Sequence, residues 1–310
     1  MINQSLPTKL LETYQPLLQS LNLSPSDWLA SLTKEHLPVL LFKSEHRDQL
    51  RSQWTSQNFP FQTLSWFPRA ISWPLAVPMG TILPGYQENM LYPLNPSSLL
   101  PVMALGTNLH GFFLDACASP GGKTLATYLN NPNLNIISND ASPQRKHKLV
   151  QTVQAWQLPV QVLLTKAELL YRKFPQTFDY ILADVPCSSE VHVINSPHHL
   201  NIWNPNRIKS LAHAQFAILS SLIRCLKVNG TLIYSTCALN QFENELIIDQ
   251  LLKRYGNYVS LSPVNLPINS AGGLPTLNLN YEPELVRRIW PHMHNQDPMF
   301  IAKIVKTNPL

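Results

Sequence analysis

Short apolar runs alternate with segments of helical periodicity over most of the chain. Apolar runs bounded by turn-forming residues predict five strands, over residues 111–117, 134–140, 160–164, 178–184 and 230–236. Apolar positions three and four residues apart predict one helix that begins near residue 122 and others over residues 142–153, 206–226 and 243–255. Strands that alternate with helices favour an α/β fold, in which helices cover both faces of a mostly parallel, twisted sheet.

The first 80 residues have a different pattern. Apolar positions from Leu10 to Leu18 follow helical spacing, and Ser24 with Pro25 predicts the start of a second short helix. Residues 59–85 are rich in proline and tryptophan, which predicts an irregular but packed connection because aromatic side chains favour burial. We therefore expect a small, mainly helical N-terminal region with its connection over residues 1–80. An α/β domain follows over residues 81–310.

Composition narrows the class of protein. Hydrophobic residues make up 45% of the 310 residues and charged residues 13%, which suffices for a large core and excludes a mainly disordered chain. No apolar run approaches the roughly 18 residues that a membrane-spanning helix needs. Glu12 and Asp27 precede the first arginine, Arg47, which argues against an organelle transit peptide. The formal net charge of +5 is compatible with a polyanionic partner without identifying one.

The four cysteines are too dispersed to indicate a disulfide scaffold, and none is paired at the spacing of a zinc site. This usage favours a reducing, cytoplasmic compartment, and we expect neither a metal nor a membrane partner. Cys225 falls within a predicted helix, where a cysteine is usually a small buried apolar residue. Cys187 and Cys237 each follow a predicted strand. A thiolate there becomes a good carbon nucleophile if a cation such as Lys123 lowers its pKa.

The carboxyl ends of the predicted strands form the candidate site, because ligands of parallel sheets bind beyond those ends. They carry Asp115, Asp140, Asp184 with Cys187, and finally Cys237. Three carboxylates and two cysteines on one rim indicate a reaction centre.

The loop after the first strand suggests a nucleotide-type cofactor. Residues 121–124 read Gly-Gly-Lys-Thr, but a phosphate-binding P-loop needs a glycine where the chain has Cys117, and Pro120 lacks an amide hydrogen. Asp140 lies 25 residues after Asp115, close to the interval of about 20 at which an acid binds the ribose of an adenosine cofactor. A simple helix cap is the alternative role for Asp140.

Two basic segments have competing interpretations. Residues 145–148, Arg-Lys-His-Lys, form either a solvated helix face or a nucleic-acid contact. Arg287 and Arg288 precede Trp290 and His292. Such a mixture of basic and aromatic side chains is typical of nucleic-acid surfaces and equally compatible with a structural role.

Three motifs together resemble the Sun/Nop group of RNA cytosine-C5 methyltransferases. They are the cofactor loop at residues 115–124, the Ala-Asp-Val-Pro-Cys-Ser segment at residues 183–188, and residues 234–245, which contain Tyr-Ser-Thr-Cys and Glu-Asn-Glu. Residues 95–102 and the closing strand at 300–303 fit as well, so the resemblance covers about residues 84–306. The forms of these motifs look closest to the short branch found in mitochondria of animals.

The resemblance implies a Rossmann-like methyltransferase fold that uses S-adenosyl-L-methionine to methylate a single-stranded or flipped cytosine in ribosomal or transfer RNA. It assigns Cys237 to attack on C6 of the base, Asp184 to the N3 edge, and Cys187 to loss of the C5 proton and release. Lys123 falls near both the cofactor and the reacting centre. The residues it assigns to the cofactor are Cys117, Ala118, Ser119, Pro120, Gly121, Gly122, Lys123, Asp140, Arg145 and Asp184. We expect the protein to act as a monomer.

Two positions depart from the family pattern. The third strand ends at Leu164 without the usual acidic residue, and Glu168 follows too late, which puts the adenine contacts in question. Residues 297–300 read Asp-Pro-Met-Phe where the family commonly has Gly-Phe-Phe, which predicts a changed substrate side of the pocket.

Three alternatives stay open at this point. DNA cytosine methyltransferases use the cysteine of their Pro-Cys motif as the nucleophile, which here is Cys187. A non-catalytic RNA-binding or ribosome-assembly factor with the same fold is favoured by the missing acid of the third strand. A small-molecule methyltransferase has no need of two cysteines on the rim.

Overall fold

The computed structural model describes residues 8–310, so residues 1–7 of the predicted N-terminal region lie outside the described part. The two predicted N-terminal helices are confirmed as α1 (Thr8–Ser20) and α2 (Pro25–Thr33). Ser24 caps α2, because its side chain accepts a hydrogen bond of 3.1 Å from the backbone amide of Asp27.

A small antiparallel sheet follows these helices. Its elements are β1 (Val39–Leu41), α3 (Arg47–Ser56), β2 (Thr63–Leu64), β3 (Phe67–Ser72) and β4 (Tyr92–Leu94), with strand order β2-β3-β1-β4. The expected irregular connection over residues 59–85 is therefore wrong for β2 and β3. Pro68 interrupts the apolar alternation of β3, which is why the pattern gave no strand signal there.

The remaining strands build one eight-stranded sheet. They are β5 (Gly111–Asp115), β6 (Leu134–Asp140), β7 (Val160–Leu164), β8 (Phe178–Asp184), β9 (Leu226–Thr236), β10 (Val259–Ser262), β11 (Val286–Ile289) and β12 (Met299–Lys306). The helices are α4 (Leu100–Leu105), α5 (Gly122–Asn130), α6 (Pro143–Ala155), α7 (Glu190–Ile194), α8 (Pro197–Asn201), α9 (Asn206–Cys225), α10 (Glu245–Tyr255) and α11 (Pro291–His294). The five strands predicted from the apolar runs and the four helices predicted alongside them are confirmed, with small shifts at their ends.

The order of the strands places a crevice at the centre of this sheet. Strands β7-β6-β5-β8-β9 are parallel neighbours, and β12 continues the sheet antiparallel to β9, with β10 and β11 each paired to β12. From β5 the chain proceeds to β6 and β7 on one side, and then returns to β8 and β9 on the other. Ligand sites of such sheets lie at this reversal, beyond the carboxyl ends of β5 and β8.

Successive side chains of the central strands point to opposite faces and enter two separate cores. Leu114 of β5 packs with Leu219 of α9 and Ile248 of α10 on one face. Phe113 packs on the other face with Leu125 of α5. Both faces of the parallel strands are thus covered, as the pattern of apolar runs predicts.

The described part of the N-terminal region shares cores with the large sheet. Phe67 of β3 belongs to the core that contains Leu125, and Tyr14 and Trp28 of α1 and α2 pack with Trp203. The division of the chain near residue 80 stays a prediction. Within residues 8–310, no helix has both the length and the apolar character needed to cross a membrane.

Candidate active site

The loop between β5 and α5 is held in place by a hydrogen bond to a buried carboxyl group and by close packing against helix α6. Asp115 ends β5, and the Thr124 hydroxyl donates a hydrogen bond of 2.7 Å to its Oδ2. Burial raises the pKa of Asp115 to about 7. Gly121 has a φ of +114°, a region that favours glycine, and a Cβ there would lie only 3.0 Å from Thr152 of α6. The two glycines before Lys123 therefore serve a tight turn into α5.

Asp140 at the end of β6 binds this loop from the other side. Its Oδ2 accepts a hydrogen bond of 3.3 Å from the Ser119 amide and pairs with Arg145 Nε at 3.1 Å. Its Oδ1 accepts 3.0 Å from the Ser142 amide. Ser142, and not Asp140, is the N-cap of α6, because the Ser142 side chain accepts from the Arg145 amide. The simple-cap role for Asp140 is therefore wrong.

A cavity of about 310 Å³ opens beside Asp140. Its lining residues are Ala116, Cys117, Asp140, Ala141, Ser142, Arg145, Ala167, Glu168, Pro186, Ala214 and Ile218. Of the residues expected at the cofactor, Cys117, Asp140 and Arg145 line it. Ala118, Ser119, Pro120, Gly121 and Gly122 build the loop behind this lining. Glu168 lines the cavity despite its late position, because the short helical turn Ala167–Arg172 is the next element after β7.

No sequence pattern indicated the residues on the far wall of this cavity. Ala214 and Ile218 come from α9, whose periodicity marks a packing helix and not a ligand contact. Pro186 comes from the loop after β8. Small and apolar side chains opposite a carboxylate make this cavity suitable for a ligand with a flat ring joined to a polar group that carries two hydroxyls.

Lys123 and Asp184 form an ion pair at the centre of the crevice. Lys123 Nζ lies 2.7 Å from Asp184 Oδ2, and the Ser235 hydroxyl donates 2.8 Å to Asp184 Oδ1. Burial by itself lowers the pKa of Lys123, but the Asp184 carboxylate outweighs burial, and the net effect raises it. The Lys123 side chain is therefore charged beside the reacting groups.

The two rim cysteines are in contact. Cys187 Sγ lies 3.2 Å from Cys237 Sγ, although the loops that carry them follow different strands, β8 and β9. The hydrogen bond from Cys187 lowers the pKa of Cys237 against the effect of burial. The same hydrogen bond, together with burial, raises the pKa of Cys187. The pair is therefore polarised, and Cys237 is the thiol of the two that loses its proton more readily.

A second cavity, of about 410 Å³, lies over the two cysteines. It is lined by Asn95, Ser97, Ser98, Lys123, Asp184, Val185, Cys187, Ser189, Val191, His192, Asn195, Cys237, Asp297, Pro298 and Met299. The predicted departure at residues 297–300 thus falls on its wall, where Asn95 donates a hydrogen bond to Asp297. His192 of α7 and Asn195, which directly follows that helix, also line this wall, and no sequence pattern indicated either.

The loop over residues 184–187 separates the two cavities. Pro186 lines the cavity beside Asp140, whereas Val185 and Cys187 line the cavity over the cysteines. A group bound in one cavity is therefore one loop away from a group bound in the other. This arrangement suits transfer of a small group between two ligands.

The other residues that the sequence singled out have structural roles or lie on the surface. Arg288 is 2% exposed and pairs with the buried Glu245, its Nε at 2.6 Å from Glu245 Oε1, so it is not a nucleic-acid contact. Cys225 is buried, and burial raises its pKa to about 12. Within residues 145–148, only Arg145 reaches the cavity beside Asp140. In the described part of the chain, no group of three or more His, Cys, Asp and Glu side chains is arranged to hold a metal ion.

The chain is similar to known proteins over most of its length. A ribosomal RNA small subunit methyltransferase F from Aeromonas salmonicida is 31% identical over 252 residues, which cover 79% of this chain and 51% of the relative. The human 28S rRNA (cytosine(4447)-C(5))-methyltransferase is 33% identical over 242 residues, covering 74% of this chain and 29% of that protein. The chain thus spans about half or less of the length of these curated relatives.

Two solved structures share the fold. The crystal structure of NSun6 from Pyrococcus horikoshii with SFG has a TM-score of 0.79 at 17% identity, and the match covers 97% of this chain and 98% of that one. A methyltransferase homolog protein from the same organism has a TM-score of 0.73 at 22% identity, covering 91% of this chain and 90% of that one. Both likenesses confirm the Rossmann-like methyltransferase fold.

A match to a family model identifies the family of the chain. Residues 102–305, about two thirds of the chain, match the family described as 16S rRNA methyltransferase RsmB/F. This stretch contains the five parallel strands β5 to β9, both rim cysteines and the Lys123–Asp184 pair. The expected membership of the Sun/Nop group is therefore confirmed, and the chain belongs to the 16S rRNA methyltransferase RsmB/F family.

Proposed function

We propose that this protein is an RNA cytosine-C5 methyltransferase that uses S-adenosyl-L-methionine. The observation that carries the proposal is the 3.2 Å contact between Cys187 and Cys237 at the loop that separates the two cavities. The pKa of Cys237 is lowered, which favours its thiolate, and the pKa of Cys187 is raised for as long as the two thiols share a hydrogen bond. Methylation at an unactivated aromatic carbon needs a nucleophile and a base at one place, and this pair supplies both.

The cavity beside Asp140 fits S-adenosyl-L-methionine. The Asp140 carboxylate is positioned for the ribose hydroxyls, and Ala167, Ala214 and Ile218 leave an apolar slot for an adenine ring. Glu168 supplies an acceptor at the same end of the cavity. When bound there, the cofactor supplies an electrophilic methyl group.

The cavity over the cysteines fits a cytosine taken out of its stack. We propose that the Cys237 thiolate forms a bond to C6 of the base and that the electron pair of the C5–C6 bond makes C5 nucleophilic. The Lys123–Asp184 pair faces the same cavity and stabilises the charge that develops at the N3 edge. C5 then accepts the methyl group.

Release requires that C5 lose its proton and that the bond between C6 and Cys237 break. We propose that Cys187 accepts the C5 proton and that the electron pair restores the C5–C6 double bond as Cys237 leaves. Bond formation at Cys237 removes the thiolate that raised the pKa of Cys187, so that pKa falls once the adduct exists. Cys187 then gives its own proton to solvent, and its thiolate is free to accept the C5 proton. This order explains why the site has two cysteines.

Ribosomal RNA is the proposed substrate class, because the curated relatives are named as ribosomal RNA methyltransferases. Transfer RNA stays the second candidate from the sequence. The expected monomer and the two-part division at residue 80 are proposals as well. A reducing compartment such as the cytoplasm suits a site that needs two free thiols 3.2 Å apart.

Trapping of the covalent complex tests the proposed roles. We expect Cys187→Ala to accumulate an RNA–protein adduct on a denaturing gel in the presence of S-adenosyl-L-methionine, because the C5 proton is not removed. Cys237→Ala forms no adduct, and Cys225→Ala, a buried cysteine outside the site, behaves as wild type. The reverse pattern, an adduct in Cys237→Ala and none in Cys187→Ala, would make Cys187 the nucleophile, as in the DNA cytosine methyltransferases. An absence of S-adenosyl-L-methionine binding by calorimetry leaves only a non-catalytic RNA-binding role.

A further inference from the structure

Beneath the two cysteines lies a pair of buried carboxylates that the proposed reaction does not use. Glu190 and Glu243 are both fully buried. Glu190 starts α7 just after the Cys187 loop, and Glu243 lies in the turn between Cys237 and α10. Buried acidic side chains are costly unless they are well hydrogen-bonded, so their partners indicate what they hold together.

Each carboxylate binds the backbone of the other cysteine's loop. Glu243 Oε2 accepts 2.9 Å from the amide of Ser188, which directly follows Cys187. Glu190 Oε2 accepts 2.9 Å from the amide of Leu239, two residues after Cys237. The two loops are thus joined by a reciprocal pair of hydrogen bonds, which we call the glutamate clasp.

Two amide side chains complete the clasp. Asn240 Nδ2 donates to Glu243 Oε1 at 2.6 Å and to Glu190 Oε1 at 3.2 Å. Gln215 of α9 donates to Glu243 Oε2 at 2.8 Å and to the carbonyl of Pro186 at 2.9 Å. Helix α9 and the two loops that carry the cysteines are therefore joined through the same two carboxylates.

One donor of the clasp comes from the N-terminal region. The hydroxyl of Tyr14, on α1, donates a hydrogen bond to Glu190 Oε1, 176 positions away in sequence. The Tyr14 side chain is 1% exposed and stacks on Trp28 with ring centroids 5.2 Å apart. Burial, followed by the Glu190 carboxylate, raises the pKa of Tyr14, so its hydroxyl stays protonated and able to donate.

We propose that Tyr14 is a positioning residue and that helix α1, through the glutamate clasp, fixes the separation of Cys187 and Cys237. Loss of the Tyr14 hydroxyl removes one of the three side-chain donors to Glu190 Oε1 inside the protein, where water does not replace it. The carboxylate then shifts toward its remaining donors and pulls the Leu239 amide with it. The 3.2 Å contact between the thiols is the first distance to change.

The test variant is Tyr14→Phe, which removes one oxygen atom and keeps the ring. Leu32→Ala is the matched control, since it weakens packing in the same core, and an aliphatic side chain donates no hydrogen bond to the clasp. The direct readout is the pH midpoint of Cys237 alkylation by iodoacetamide, followed by peptide mass spectrometry. This measurement needs neither RNA nor cofactor. The groups around Cys237 that influence the midpoint are Cys187, Ser189, Asp184, Glu190 and Lys123.

We expect the midpoint to rise in Tyr14→Phe, because a longer distance between the thiols weakens the hydrogen bond that favours the Cys237 thiolate. The control Leu32→Ala keeps the wild-type midpoint even where its melting temperature falls as far as that of Tyr14→Phe. A midpoint unchanged in Tyr14→Phe, or shifted equally in both variants, overturns the positioning role. The alkylation of each variant is measured below its own melting temperature.

The second readout is methyl transfer, and it rests on the proposed function. Tyr14→Phe is expected to lower kcat about 5- to 20-fold with KM for RNA nearly unchanged, since a misplaced nucleophile affects the chemical step more than binding. If wild-type protein methylates no RNA but Tyr14→Phe still raises the alkylation midpoint, the proposed function fails and the positioning role stands. If methylation is present and both readouts match wild type, only the positioning role fails.

Discussion

Removal of either charge of the Lys123–Asp184 pair should destabilise the fold as well as stop the reaction. At the observed 2.7 Å and an effective dielectric constant of about 20, the attraction is about 6 kcal/mol before desolvation is subtracted. The side chains are 16% and 27% exposed, so water screens the pair and the desolvation cost offsets much of that attraction. We therefore expect a net coupling of about 1.5–3 kcal/mol, the range found for hydrogen bonds to charged groups.

A double-mutant cycle measures this coupling. The variants are Lys123→Met, Asp184→Asn and the double mutant, each unfolded in urea and followed by tryptophan fluorescence. The double mutant should lose less free energy of unfolding than the sum of the single mutants, by about 1.5–3 kcal/mol, because it buries no unpaired charge. The same cycle on the exposed pair Arg287 and Glu284 is the control, and it should give at most about 1 kcal/mol. A coupling for Lys123–Asp184 no larger than that of the control would refute the reasoning.

Two further outcomes follow from the site. Asp140→Ala should raise the Kd for S-adenosyl-L-methionine about 10- to 100-fold in calorimetry, because two charge-assisted hydrogen bonds to the ribose are lost. Alkylation of Cys237 should stay unchanged in this variant. An unaltered Kd argues against the ribose-binding role of Asp140. The lowered pKa of Cys237 keeps its thiolate populated to a lower pH than a free thiol, so its alkylation rate should fall only as the pH drops through that lowered pKa. In Cys187→Ala this fall should come at higher pH because the donor is gone, and a midpoint that stays in place contradicts the polarised pair.

The strands and the rim could be read from the sequence because local patterns encode them. Apolar runs of five to seven residues specify buried parallel strands, and a parallel sheet places all their carboxyl ends on one edge. Asp115, Asp140 and Asp184 end three such strands, and Cys237 directly follows the end of β9. The grouping of chemistry on one rim was therefore predictable without coordinates.

The small antiparallel sheet was not predictable in this way. Its strands are two to six residues long, and Pro68 and Pro93 interrupt two of them. Such strands exist because β1 pairs with both β3 and β4 and because Phe67 enters the core beneath the large sheet. Tertiary packing thus overrides a weak local propensity.

The roles of individual polar residues also depended on distant partners. Arg288 stands in a basic and aromatic segment that is typical of nucleic-acid surfaces, yet its partner Glu245 is 43 positions away and buries it. Glu168 is late in the sequence, but a short helical turn returns it to the cavity beside Asp140. No local pattern contains either piece of information.

By itself, the sequence determined the α/β fold, the family and the two cysteines, because strand periodicity and the motif residues are local properties of the chain. Only the tertiary structure decided that the cysteines are in contact and that Cys187 polarises Cys237. It also revealed that Tyr14 reaches Glu190 across 176 positions. These contacts join segments that meet only when the β8 and β9 loops and helix α1 pack together, so their geometry is a property of the folded core and not of any stretch of sequence.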